Sequence, residues 1–87
     1  MSIETTLTER GNRYGDYKTH AEITQGLKRL MQSTEGWQRL TDDKRETLDM
    51  IAHKIGRLLN GDPEHADNFH DIAGYALLSE KLCKPHE

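Results

Sequence analysis

Four acidic residues stand at spacings that two neighbouring helices would put to use: Glu46 and Asp49 three apart, Asp67 and Asp71 four apart. Residues three or four apart share a helix face, so each pair offers its carboxylates together. Such a set suits a hard divalent cation. Mg²⁺ takes oxygen ligands and commonly combines a few carboxylates with substrate phosphates. The same residues also read as solvated faces, with Asp49 paired to His53 one turn on. Lys54 and Arg57 stand near the end of the first of these helices. They have the charge to neutralise phosphate, Arg57 through a bidentate fork; they equally complement a helix C-terminus. The run Arg10-Gly11-Asn12-Arg13-Tyr14-Gly15-Asp16 holds two arginines, a tyrosine and two glycines. As a polar loop it can grip a phosphate and stack Tyr14 on a base; it also reads as an ordinary turn before a helix. His20, His53, His65 and His70, with the distant Cys83, make no zinc-ligand spacing. Ser79 and Cys83 have no neighbouring base pattern for nucleophilic chemistry.

The elements that must position these residues are helical. Thr19 and Glu22 fit a capping box, and Ile23, Leu27, Leu30 and Met31 give a stripe for a helix over about 20–32. Trp37 lies in the following connection and reads as a plug for the end of the core. A second helix starts at Thr41 or Asp42, with Leu48, Ile51, Ala52, Ile55, Leu58 and Leu59 as its stripe. Asn60-Gly61-Asp62-Pro63 signals a tight turn: Asn60 and Gly61 for a left-handed cap, Asp62 as the next N-cap, Pro63 at the first helical position. A third helix then spans about 63–82. Its expected core stripe is Phe69, Ile72, Ala73 and Ala76, with Gly74 permitting close approach, and with Asp67 and Asp71 on the opposite side. A short turn makes the second and third helices antiparallel neighbours, so carboxylates and cations meet near it. Leu77 and Leu78 broaden the apolar surface late in the third helix, which asks for a second partner.

The fold class expected is therefore all-α, a small bundle of three main helices completed by oligomerisation. The 87 residues make one domain, 1–87, with loose ends at 1–9 and 84–87. No alternating β-branched run marks a strand. The single cysteine rules out an internal disulfide framework and points to a reducing compartment. No apolar run has the length of a membrane span and no charged-then-apolar leader opens the chain, so a cytoplasmic protein is expected, with no membrane partner. A net charge of −3 argues against a general nucleic-acid binder.

The segments RGNRYGDY, KIGR and DNFHDIAGYALL together resemble a group of small phage and prophage proteins with the pattern RGxxYGD…KxxR…DxxxDIAGYA. The match takes in Arg10, Gly11, Tyr14, Gly15, Asp16, Lys54, Arg57, Asp67, Asp71, Gly74 and Tyr75. In helical layout that group is similar to the MazG-like and dUTPase-like all-α pyrophosphohydrolases of nucleoside triphosphates. Those enzymes bind Mg²⁺ through EExxE on one helix and ExxD on the next, and release a monophosphate and pyrophosphate. Asp71, followed by Ile72 and Tyr75, is similar to the second motif, with Asn68 where its acidic partner is expected. Glu46 and Asp49 fall near the first motif, though EExxE itself is absent. The resemblance implies Mg²⁺-dependent binding of a (deoxy)nucleoside triphosphate, with pyrophosphohydrolysis as the associated reaction. On that expectation Asp67 and Asp71, with Glu46 or Asp49, hold the metal. Arg10, Lys54 and Arg57 meet the phosphates, and Tyr14 stacks on the base. For a phage-encoded chain the compartment is the bacterial host's cytoplasm. The alternative is a non-catalytic phage module that binds another protein, the same acids and bases serving as interhelical salt bridges.

Overall fold

The structure, a computed structural model, describes residues 2–84. Five helices follow in order: α1 Ile3–Tyr14, α2 Tyr17–Gln32, α3 Glu35–Gln38, α4 Asp42–Asn60 and α5 Asp67–Leu82. Among the described residues there is no strand, and no helix is long and apolar enough to cross a membrane. The all-α class holds, with α2, α4 and α5 as the three main helices. Met1 and, of the expected tail, residues 85–87 lie outside the described residues.

Helix α1 is the main departure from the sequence reading, because it takes in both the expected loose start and the Arg10–Asp16 loop. Ser2 caps it, its hydroxyl accepting from the Thr5 N–H at 3.1 Å, and Glu4 in the first turn complements the dipole. Gly11 is carried inside this helix, and only Gly15 breaks it. Helix α2 starts three residues earlier than the capping box predicts. Asp16 is its cap: one carboxylate oxygen accepts from both the Thr19 N–H and the Thr19 hydroxyl at 2.9 Å, so Thr19 lies inside the helix. Helix α5 starts later than expected, at Asp67, with no side-chain cap. Asp62 and Pro63 instead belong to the connecting turn, where the Asp62 carboxylate accepts from the Glu64 N–H. Gly61 closes α4 with φ −124°, not in the left-handed region.

Helix α4 is the hub, packing against α5, α2 and α1. Its α5 side carries Thr47, whose hydroxyl lies 2.7 Å from that of Ser79, and Lys54. Its α2 side carries His53 and Gly56. A Cβ at Gly56 would lie 2.5 Å from Thr24 and 3.1 Å from the His20 ring, so these α2 side chains rest directly on the α4 backbone there. Trp37 is buried as expected, with the Arg45 guanidinium 5.7 Å from its ring centre and the Arg45 Nε donating to its carbonyl at 3.2 Å.

The buried set is unusually polar. Trp37 and Ala52 are its only apolar members among the described residues, against His20, Thr24, Lys54 and Asn68. Ile51, Ile55 and Leu58 are half-buried, and Leu48 and Leu59 are exposed. Helix α5 is rotated away from the expectation, and of the expected stripe only Ile72 stays on the inward side. Phe69 is 57% exposed, Ala73, Ala76, Leu77 and Leu78 also face out, and nothing lies within 4 Å of a Cβ built at Gly74. The inward side runs through Asn68, Asp71, Ile72, Tyr75 and Ser79, at i, i+3, i+4, i+7 and i+11. The physical reason lies on α4, which presents a buried lysine to α5. An ammonium removed from water needs a counter-charge, and Asp71 supplies it only when the helix turns this way.

Candidate functional site

The four acids expected to share a metal are dispersed. Asp71 Oδ2 lies 3.0 Å from Lys54 Nζ, and this hydrogen bond holds its carboxyl below the usual range. Asp67, one turn earlier, points to the connecting turn, 3.4 Å from His65 Nε2, with its side chain 78% exposed. Asp49 is half-buried with one unpartnered oxygen, and Glu46 is exposed. Among the described residues no group of three or more His, Cys, Asp or Glu side chains converges on one point. One helix face does not bring Asp67 and Asp71 to one ligand, because α4 claims only the second. A Mg²⁺ cage from Asp67, Asp71, Glu46 and Asp49 does not fit this arrangement within a single chain. Lys54 is likewise committed to α5 and does not join the other cations.

Those other cations do gather. Between α1, α2 and α4 lies a cavity of about 560 Å³ lined by Arg10, Tyr14, Tyr17, His20, His53 and Arg57, together with the Asp16 corner. The Arg57 guanidinium carbon sits 4.2 Å from the centre of the Tyr14 ring, a stacking distance for a cation on an aromatic face. Among the described residues neither Arg10 nor Arg57 lies within ion-pair distance of a carboxylate. The Asp16 carboxylate also borders the cavity. Its bonds to the Thr19 N–H and hydroxyl hold its pKa down and its charge at the start of α2.

Two histidines complete the wall. His20 Nε2 and His53 Nδ1 are 3.3 Å apart, the rings meeting edge to face at 4.6 Å. His20 is 6% exposed and its Nδ1 has no hydrogen-bond partner. Burial, and then the Arg57 charge, push both imidazoles down, His53 to about 4, so both are neutral at pH 7. Sequence spacing gave no link between positions 20 and 53. The available signal was His20 standing on the Ile23–Leu27–Met31 stripe of α2, where a polar residue is held inward.

The glycines of the motif segments position this wall. Gly15 turns the chain between α1 and α2 at φ +79°, a conformation that favours glycine, and a Cβ there would overlap the Asn60 carbonyl. Asn60 Nδ2 donates to the carbonyls of Tyr14 at 3.2 Å and Asp16 at 2.7 Å, and the Asp62 N–H donates to the Arg13 carbonyl at 2.7 Å. The YGD corner is thus clasped by the Asn60-Gly61-Asp62 turn. A larger and more open groove of about 770 Å³ lies between Lys44 and Lys84; it gathers none of the residues that the sequence singles out.

These features define a small all-α protein built on an α4–α5 hairpin, with a cationic, histidine-walled cavity beside it. A family model described as a domain of unknown function, DUF6378, matches residues 2–83, and the chain belongs to that family. Neither the curated proteins nor the solved structures contain a match.

Proposed function

We propose that this protein binds a phosphate-bearing small molecule, a (deoxy)nucleoside triphosphate or one of its products, in the cavity between α1, α2 and α4. The observation behind the proposal is that Arg10 and Arg57 line one cavity with no carboxylate partner. Guanidiniums that share a cavity without an ion-pair partner favour an anion, and the planar fork suits phosphate. Tyr17, 81% exposed at the cavity, is the freer aromatic face for a base; Tyr14 already carries Arg57. The resemblance to the MazG-like enzymes adds pyrophosphohydrolysis as the reaction to look for, and Mg²⁺ as its companion. The acids such a reaction uses are not gathered in one chain, so the proposal is one of binding. Its test is a thermal-shift panel of nucleotides with and without Mg²⁺, followed by product analysis on any hit. A ligand specific for the folded state raises the melting temperature by mass action. No shift with any nucleotide at millimolar concentration overturns it.

A separate observation favours a protein partner, and we place a second copy of this chain there. The accessible surface is 6671 Å², whereas a compact monomer of 10.0 kDa exposes about 5200 Å². The excess of about 1400 Å² exceeds what one partner contributes to a standard interface, about 800 Å². The outward side of α5, with Phe69, Ala73, Ala76 and Leu77, is an exposed apolar face that a second copy would cover. The non-catalytic interaction module draws on the same surface.

A further inference from the structure

The cavity's two histidines have no role in the arginine contacts, yet they form its most deeply buried polar feature. His20 is 6% exposed, keeps an unpartnered Nδ1, and shares one hydrogen bond with His53 across 33 residues of chain. A buried ring nitrogen left unpaired is costly. His20 Nδ1 lies against Gly56 and its Nε2 is taken by His53, so the nitrogen of the pair left for a ligand is His53 Nε2.

The charges facing the pair say which ligand. From α1 come Arg10 and Tyr14. From α2 come Tyr17, Lys28 and Asp16, the last held by Thr19. From α4 comes Arg57, while the Lys54 ammonium is neutralised by Asp71 on the α5 side. Asp49, one turn before His53, makes no ion pair with it. The surroundings are therefore cationic, with a single carboxylate already engaged. In the free protein this field opposes a proton on either ring. An anion within about 4–6 Å reverses it, because an opposite charge at that range favours the protonated imidazole. A dianion does so more strongly than a monoanion.

We propose, resting on the phosphate-binding reading above, that the His20–His53 pair is the cavity's phosphate-recognition element, and that it captures the dianionic end of a phosphomonoester by taking up a proton from solvent. The bound phosphate then faces two guanidiniums and one imidazolium. The pair's shared hydrogen persists, and the added proton occupies a nitrogen that was bare in the free protein. This makes the cavity selective for a terminal phosphate, whose second ionisation falls near pH 6, over a phosphodiester, which carries one charge and cannot acquire a second.

The test is isothermal titration of the full chain at pH 7 in Bis-Tris and in Tris, cationic buffers with different heats of protonation. The probes are deoxyadenosine 5′-monophosphate, inorganic phosphate and the 3′,5′-cyclic diester of adenosine monophosphate. The expected result is binding of deoxyadenosine 5′-monophosphate with uptake of up to about one proton, read from the difference between buffers, a smaller net uptake with inorganic phosphate, part of which is monoanion at pH 7 and gives up a proton on binding, and weaker binding of the cyclic diester. His53→Gln keeps a hydrogen-bonding side chain that cannot be protonated. It should abolish the uptake and weaken the monophosphate about tenfold, the loss of one charge-assisted bond. The buffer comparison on the wild-type chain stands even if the variant folds poorly. Binding of the monophosphate with no buffer dependence overturns the inference and leaves the cavity's phosphate binding intact. Equal affinity for the cyclic diester also overturns it. If no probe binds at all, the phosphate-binding reading fails and takes this inference with it.

Discussion

Lys54 Nζ and Asp71 Oδ2 lie 3.0 Å apart, with the lysine side chain 10% exposed and the aspartate 41%. The pair joins α4 to α5 and is unequal in burial, so its two members differ in what happens when the other is removed. Asp71→Asn leaves an ammonium buried without its anion, whereas Lys54→Met leaves a carboxylate with access to water. Breaking a buried pair from the exposed side is the more damaging change. Asp71→Asn should therefore lower the urea midpoint more than Lys54→Met. The reverse order would mean that the lysine is solvated.

The histidine pair sets a pH window. His53 has an ordinary value of 6.5 and is pushed to about 4 in the folded chain, and His20 moves the same way. Below pH 6.5 the unfolded chain therefore binds more protons than the folded one, and stability falls as pH falls. The urea midpoint should hold above about pH 6.5, where the unfolded imidazoles are neutral, and decline toward pH 4. Asp71 and Asp16, both lowered from 3.8, add their loss in a separate window below that. His53→Gln should flatten the upper window and leave the lower one in place.

Two glycines in one motif should respond with opposite sign. Gly15→Ala forces a side chain into φ +79° and against the Asn60 carbonyl. The backbone strain alone is about 1–3 kcal/mol. Gly11 lies inside α1 with nothing within 4 Å of a Cβ. Gly11→Ala should stabilise the helix by up to about 1 kcal/mol. Thermal melts of the two variants compare them directly.

Sedimentation should give a mass of at least twice the 10.0 kDa chain at micromolar concentration. Phe69→Arg combined with Leu77→Glu, both on the outward side of α5, should shift the protein toward monomer. A wild-type monomer at that concentration would remove the second copy from the proposal.

The helices α2 and α4, the position of the turn at 60–63 and the burial of Trp37 were legible because each rests on local signals: a regular stripe, a turn-forming run, a lone indole. The orientation of α5 was not. A helical wheel ranks faces by apolarity, and it has no means of weighing a buried lysine on the neighbouring helix, which turned Asp71 inward and left Phe69 outside. The Arg10–Asp16 segment was misread because Gly11 and Gly15 look alike in sequence, and only the second breaks the helix. Arg10, Tyr14 and Arg57 were identified and are brought together. Lys54 was grouped with them because it lies three residues before Arg57, a spacing that leaves it facing α5. The His20–His53 contact is a product of tertiary packing at Gly56, and no spacing rule reaches across it.

Helix α1 contributes no buried residue, and Ile3 and Leu7 are 70% and 60% exposed. Its firmest ties to the body are the bonds at its end, from Asp62 to Arg13 and from Asn60 to Tyr14. Elements with so little apolar contact open on their own, without global unfolding. The amides of residues 6–12 should therefore exchange with deuterium far ahead of those in α4. Arg10 rides on this helix and reaches the cavity from it. Occupancy of the cavity should consequently be readable as slowed exchange along α1.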